Sequence, residues 1–496
     1  MLLVKRKKHR TAELKLSGKI KDYLRQVTIL DCRSLALFRI MLGIAVIADL
    51  LDRASVFEIM YSENGLIPLE VVREMRGHPT FGVSHFSLHM LNGSQIYQAG
   101  LFWIAGLCAA CVTLGYRTRF FVIASWFLHA SIMTRNPVYF SGADVTLGLA
   151  LFWAIFLPLS NRISIDRFRG RVPDSLGGTA LRVGVACYLL QLLTIYVFAA
   201  YAKDFTWRNG TALMHILQMD LLASDFGRYL TNYPAVLWSM TLGAWWLEAL
   251  GTLLLFTPWG LRWGRGLCFL SFFSLHAGIA LTCDIGLFPF FSMVFWLPII
   301  PGGVWDWFGV HLAQAAESEP GAASARSVIE NKKQTITILV AASSIIAVML
   351  TTFPVGNLGL VSRVSKAYVS RLKLLQNWTV FAKTEYLERD GWFIVEGTLK
   401  DGETVDLLRN YQPVQWSRPP LSGPRRVPVI WRTYLAHQER RKKENLDRYA
   451  SYLHRKQKLI DGHGFDKIRM LFMEEDGLGQ DTVTQNVFWS GNPAVE

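Results

Sequence analysis

The sequence predicts an all-α polytopic membrane bundle of about nine transmembrane helices, followed by a small α+β extracytoplasmic domain at its C-terminal end. Three observations carry that expectation. Of 496 residues, 51% are hydrophobic and only 18% charged, where a soluble chain carries about a quarter charged residues. The apolar residues are gathered into long runs, and a spanning helix needs about 20 of them. The positive charge, +14 net, is concentrated in short segments between alternate runs.

The runs place spans at roughly 35–52, 98–115, 119–134, 144–160, 180–202, 234–257, 265–283, 285–301 and 334–353. The third and fourth are short or polar-ended, as tilted, broken or protein-buried helices would be. Residues 1–33 lack the apolar core and small-residue site of a cleavable signal, so the first span is expected to double as the insertion signal. The 17 Trp suit two lipid–water interfaces.

Charge sets the expected orientation. KRKKHR at 5–10 with Arg25 and Arg33, the GYRTR loop at 115–119, the loop at 160–182 and the loop at 258–265 all fall on one side if every run crosses once. Short basic loops mark the cytoplasm, so the N-terminus is expected inside and the tail outside. Attraction to anionic lipid accounts for the basic N-terminus without a nucleic-acid partner, and KIKDYLRQVTIL at 19–30 has the pattern of an interfacial amphipathic helix. The expected organisation is a basic cytoplasmic segment (1–33), a transmembrane domain (34–302), a cytoplasmic linker (303–333), a last span (334–353) and an extracytoplasmic domain (354–496).

Within the tail, GWFIVEGTL at 391–399 and ETVDLL at 403–408 flank an Asp-Gly turn and read as a hairpin. A charged helical stretch is expected over 429–460 and a last strand over 467–473, with Trp378, Trp392 and Trp431 resting on the membrane face. Cys108 and Cys111 form a CxxC inside the apolar run AGLCAACVTLG, where small residues packing between helices are expected rather than redox or metal chemistry. No metal, Walker or nucleophile-elbow motif is present.

Chemistry is therefore sought where polar groups stand in apolar surroundings, because an ionisable group at mid-membrane costs about 2.5–3.5 kcal/mol on insertion scales. Lys203 ends the fifth run and precedes Asp204. It reads either as a snorkelling cation paired with Asp204 or as a desolvated amine able to act as a general base. Arg135, Asn136 and Asp144 flank a loop with Pro137 and Gly142, read either as turn chemistry with a capping Asp or as the polar wall of a cavity. His276 lies within the seventh run and Asp284 before the eighth, either as an interhelical hydrogen-bonding residue or as part of a site. Glu248 stands among Trp and Leu residues and needs a partner, with Arg39 and Arg182 as candidates.

These segments, taken together, resemble the HTTM superfamily, whose known enzyme type is vitamin K-dependent gamma-carboxylase. LALFRIMLG (35–43), YSENGLIP (61–68), RNPVYFSGADVTLGLALFWAIFLPLSNRISID (135–166), YVFAAYAKDFTWRNGTAL (196–213), HAGIALTCDIGLFPFFSM (276–293) and the tail stretch QNWTVFAKTEYLERDGWFIVEGTLKDGETVDL (376–407) carry the resemblance. It implies a bacterial inner-membrane protein and a lysine-based quinol chemistry. An amine, here Lys203, would deprotonate a reduced naphthoquinone in an oxygenase- or carboxylase-like reaction. The implied catalytic set is Lys203, Asn136 and His276, with Asp144, Arg135, Glu248 and Trp207 around the substrate. Two departures from the carboxylase pattern are plain: Pro137 follows Asn136 where that enzyme has His, and its large propeptide-binding and C-terminal regions are missing. The partners expected are the lipid membrane, a lipophilic small molecule and a protein bound by the tail. The alternatives from other classes are a non-catalytic lipid- or small-molecule-handling protein and a scaffold recruiting a partner through the tail.

Overall fold

The computed structural model describes residues 18–77, 87–136, 141–172, 179–219, 222–258, 260–310, 328–353, 359–379, 381–382, 390–409, 411–417, 431, 434–435, 446–475 and 483–492. The chain is mostly helical. The main helices are α1 (Cys32–Ala54), α2 (Gln95–Leu114), α3 (Thr118–Arg135), α4 (Gly142–Ala154), α5 (Thr179–Ala202), α6 (Pro234–Leu250), α7 (Leu261–Thr282), α8 (Phe288–Trp296), α9 (Val328–Thr352), α10 (Leu360–Arg371) and α11 (Leu446–Asp461). Helices α6 and α8 each run on as a tighter 3-10 turn, Gly251–Phe256 and Leu297–Ile299.

Among the described residues, six helices are long and apolar enough to cross a membrane: α1, α2, α5, α6, α7 and α9, with α1 taken together with the helix before it. The other three expected spans are helical but do not meet both requirements. Helix α3 has 18 residues with Arg at both ends of its sequence, α4 has 13 and α8 has 9. At 1.5 Å per residue α4 covers about 20 Å, short of a hydrocarbon core of about 30 Å. Its surroundings explain how so short a helix is accommodated: every residue from Asp144 to Ala154 is buried by neighbouring helices.

The loops gather at two ends. At one, Ser34 Oγ donates to Ile300 O (2.7 Å), Arg33 Nη1 to Asp306 (2.7 Å), Arg265 Nη1 to Ile29 O (2.6 Å), and Arg117 N and Thr118 N to the Asp166 carboxylate (2.9 and 2.8 Å). At the other, Arg135 Nη1 donates to Ile67 O (2.7 Å), Ser224 N to Thr282 O (2.9 Å) and Asp204 N to Ala382 O (2.7 Å). Helix α1, 23 residues and so about 35 Å long, separates the two sets. Arg25 and Arg33 and the described parts of the other three basic segments thus share one end, while KRKKHR at 5–10 lies outside the described residues. Close helix contact is made by small residues: a Cβ on Gly43 of α1 would lie 2.7 Å from Ala109 O of α2, the arrangement expected when backbones approach each other in an apolar medium. All six cysteines are free.

After α9 the chain does not leave the bundle. Helix α10 folds back along α9, with Tyr368 OH 3.1 Å from Ser343 Oγ and Ser344 Oγ. An extended strap follows. Gln191 Nε2, midway along α5, donates to Gln376 Oε1 (2.9 Å), and Asp204 N, just past the end of α5, donates to Ala382 O. The strap covers that stretch in six residues, about 20 Å when extended, and α5 covers it in 13, also about 20 Å. Such non-helical backbone alongside apolar helices is tolerated where protein buries it, and Leu374, Gln376 and Trp378 are all buried.

The tail carries an antiparallel sheet of order β3-β2-β1-β4-β5, formed by Asp390–Thr398 (β1), Thr404–Asp406 (β2), Gln412–Pro413 (β3), Lys467–Glu475 (β4) and Val483–Gly491 (β5). The β1–β2 hairpin turns at Gly402 (φ +88°), a conformation glycine adopts at no steric cost. Strand β5 lies beyond the last strand expected from the sequence. Of the expected helix over 429–460, the C-terminal part is α11, and 429–430, 432–433 and 436–445 lie outside the described residues. The sheet and α11 share an apolar core with Val56, Met60, Tyr61 and Ile67 from the segment after α1. Two of the three tryptophans expected on the membrane face are buried within the protein instead: Trp378 in the bundle and Trp392 in the sheet core.

Candidate functional site

Helix α5 ends where Asp204 caps the next short helix, Phe205–Asn209, accepting from Thr206 N at 3.0 Å. That cap uses the carboxylate which the snorkelling reading assigned to Lys203. Gly210 (φ +88°) stops the short helix, and a Cβ there would lie 2.2 Å from Trp238 Cδ1. Two consequences follow. Lys203 is held inside the protein, its side chain 4% exposed, and Trp207 is set beside it, with Nζ 4.3 Å from the ring centroid. The carboxylate that Lys203 pairs with is Glu248 on α6. The Arg39 and Arg182 partners expected for Glu248 are thereby corrected: Arg39 donates to Ile163 O at the opposite end of the bundle.

The pair lies on the wall of a cavity of about 180 Å³, bounded by α5, α6, α7, α8 and the strap. Tyr196, Ala199 and Lys203 line it at helical spacing on one face of α5. His276 of α7 and Ser292 of α8 add polar groups to a wall otherwise built from residues such as Ile195, Ile216, Ile279 and Phe295. Trp378 and Phe381 close it from the strap, and Trp207 Nε1 fixes the strap by donating to Phe381 O (2.7 Å). Met240 of α6 and Ser274 of α7 line the cavity yet are exposed, so it reaches the surface between those two helices. A volume of about 150 Å³ holds one benzene ring, so this cavity has room for one ring-sized group with an apolar chain leaving through the mouth.

Four of the expected site residues, Lys203, Trp207, Glu248 and His276, thus come together. The other three do not join them. Asp144 belongs to a second, fully buried cluster on another face of α4. Arg53 there reaches Asp49 (3.0 Å), Tyr61 OH (2.9 Å) and Asp144, and His129 Nε2 lies 3.0 Å from Asp144 O. Asp144 also forms a capping box with Ser141, accepting from its N at 2.8 Å, the capping role that loop chemistry predicted. Arg135 donates to Ile67 O and Tyr61 O, and Asn136 Nδ2 lies 3.5 Å from Met60 O. These contacts tie α1, α3, α4 and the segment after α1, which replaces the expectation that Asn136 or Asp144 faces Lys203. Pro137 lies outside the described residues.

Sequence reasoning missed Tyr196, Trp378 and Phe381 at the cavity, Trp296 behind Tyr196, and Asp49, Arg53 and His129 at the cluster. Asp49 and Arg53 had a readable signal, opposite charges four residues apart in an apolar span; the aromatic residues had none. Among the described residues, no three of His, Cys, Asp and Glu converge as a metal set. Comparison with protein-family models, with curated proteins and with solved structures finds no match to this chain.

Proposed function

We propose that this is an HTTM-like multi-pass membrane protein, related to the vitamin K-dependent gamma-carboxylase type. In this reading it takes a lipophilic, quinol-like substrate from the bilayer and uses Lys203 as a general base. The carrying observation is Lys203 itself, buried with Glu248 in an apolar, ring-sized cavity that opens sideways between α6 and α7. The chemistry is a proton relay. Glu248 takes a proton from the Lys203 ammonium, and the neutral amine then takes the hydroxyl proton of the substrate. The products are a protonated Glu248, a Lys203 ammonium and a substrate oxyanion held against that ammonium. The strap excludes water from this exchange. A reduced naphthoquinone, implied by the resemblance, has the hydroxyl such a site requires, with its hydroxyl-bearing ring in the cavity and the fused second ring towards the mouth.

The proposed topology has nine crossings, with the N-terminus in the cytoplasm of a bacterial inner membrane and the tail outside. Its support is that the described parts of the four basic segments share one end, while the tail packs with residues 56–72 at the other. The tail is also the surface on which a protein partner would be sought.

One observation favours a second reading, binding of a lipophile without catalysis. The carboxylate and the Trp207 face both stabilise an ammonium, which suits a fixed cation holding an anionic headgroup. Lys203→Arg separates the two readings. A guanidinium keeps the charge but cannot serve as a base, so the variant should stay folded and lose turnover or the associated phenotype, as Lys203→Ala should. Full function in the arginine variant would eliminate the base role.

A further inference from the structure

The hydrogen-bond chain beside the cavity fixes the protonation pattern of His276. Trp296 Nε1 donates to Tyr196 OH at 2.7 Å, and the same hydroxyl lies 2.7 Å from His276 Nε2. An indole N–H can only donate, and a phenol has one hydrogen. Tyr196 donating to Nε2 leaves one group without a partner, the Nδ1–H, whereas the reverse direction leaves two, the phenol hydrogen and the Nδ1 lone pair, so the first pattern is favoured. The imidazole proton then resides on Nδ1. The phenol is wedged in place: Tyr196 packs on Phe272 (4.3 Å between centroids), and Phe272 stacks on Trp296 (4.5 Å, 7°). His276 is 4% exposed, lines the cavity, and its Nδ1 meets no hydrogen-bonding partner among the described residues. Phe288, near-perpendicular to it at 5.8 Å, offers at most a π face, a weak acceptor. A buried donor left without a full-strength partner is costly, so the arrangement calls for one from outside the chain.

We propose that His276 is a ligand-binding residue rather than an acid or base. It would be a neutral Nδ1–H donor, locked in that tautomer by Tyr196 and Trp296, that takes an uncharged oxygen acceptor (carbonyl, ether or hydroxyl) of a ring-bearing lipophile. This rests on the reading of the cavity as a lipophile site and adds what the ligand must present there. Tyr196 and Trp296 are positioning residues: they hold the donor and need not touch the ligand.

The test uses the full chain in lipid nanodiscs and two probes of nearly equal shape, 4-fluoroacetophenone, which has a carbonyl acceptor, and 1-ethyl-4-fluorobenzene, which has none. Binding is read from 19F line widths after subtracting partition into empty nanodiscs. The wild-type protein should bind the ketone about tenfold more tightly, one neutral hydrogen bond made to an otherwise unsatisfied donor. His276→Leu should bind both probes equally, with affinity for the ethyl compound retained. Tyr196→Phe, or Trp296→Phe if the first variant does not fold, should reduce the preference and shift the His276 15N signals from a protonated Nδ1 towards a mixture of tautomers. Equal binding of the two probes by the wild-type protein, or an unprotonated Nδ1 in its spectrum, would overturn the proposal and leave the Lys203 reading standing. Binding of neither probe would overturn the lipophile cavity with it.

Discussion

The Lys203–Glu248 contact makes a prediction that separates an energetic pair from mere proximity. Both groups are largely withdrawn from solvent, with side chains 4% and 13% exposed. Removing one partner of a buried pair leaves an uncompensated charge and costs about 3–5 kcal/mol, while replacing both with apolar residues of similar volume is often close to neutral. Glu248→Leu should fall at the low end, about 3 kcal/mol, because the ammonium keeps the Trp207 face, a contact of about 0.5–2 kcal/mol. Lys203→Met strands a carboxylate in a mostly apolar wall and should cost as much or more. The double variant should be more stable than either single one by at least about 2 kcal/mol, roughly a 30-fold change in the folded-to-unfolded ratio. Reversible unfolding in mixed micelles by titration with SDS, followed by tryptophan fluorescence and far-UV circular dichroism, measures all four proteins. Losses that simply add to within about 0.5 kcal/mol would show that the two groups do not interact, and the proton relay built on them would fail. Recovery of stability with no recovery of activity would place the pair in function rather than in folding.

Three further outcomes are expected. A Cβ at Gly278, on the cavity wall, meets open space, so Gly278→Phe should fold normally and lower affinity for a ring-bearing lipophile at least about tenfold by narrowing the cavity; unchanged affinity would place the entrance elsewhere. His89, in the turn before α2, donates from Nδ1 to Gln98 Oε1 (2.7 Å), and its burial pulls the imidazole pKa down to about 4. The folded state therefore favours neutral His89, and stability present above pH 6.5 is lost as pH falls towards 4, by about 2 kcal/mol between pH 7 and 5; His89→Asn should flatten that part of the pH–stability curve, and an unaltered curve would refute the assignment. Reporter fusions at residues 20 and 480 should give opposite signals across the membrane, and like signals would require an even number of crossings.

What could be read from the sequence follows from the range over which each signal acts. Helix positions were legible because an apolar run is a local property, and the hairpin at Gly402 was legible because a turn needs only its own residues. Lys203 and Glu248 were each conspicuous as charges among apolar neighbours, but their pairing depends on the approach of α5 to α6 across 45 residues of chain, which no local pattern encodes. The strap shows the limit most clearly. Its sequence, KLLQNWTVFA at 373–382, follows a helix bearing Arg363, Lys366 and Arg371, and a change from apolar to mixed composition is the usual sign that a chain has left the membrane domain. Yet Gln376 meets Gln191, which also accepts from Trp153 Nε1 at 3.1 Å, and Trp378 Nε1 donates to Gln376 Oε1 at 2.5 Å. One of the polar side chains that made the segment look solvent-exposed, Gln376, satisfies a glutamine buried in α5. A buried amide needs hydrogen-bond partners for both its ends, so Gln191 inside an apolar run was itself a signal that a polar group from elsewhere in the chain meets it.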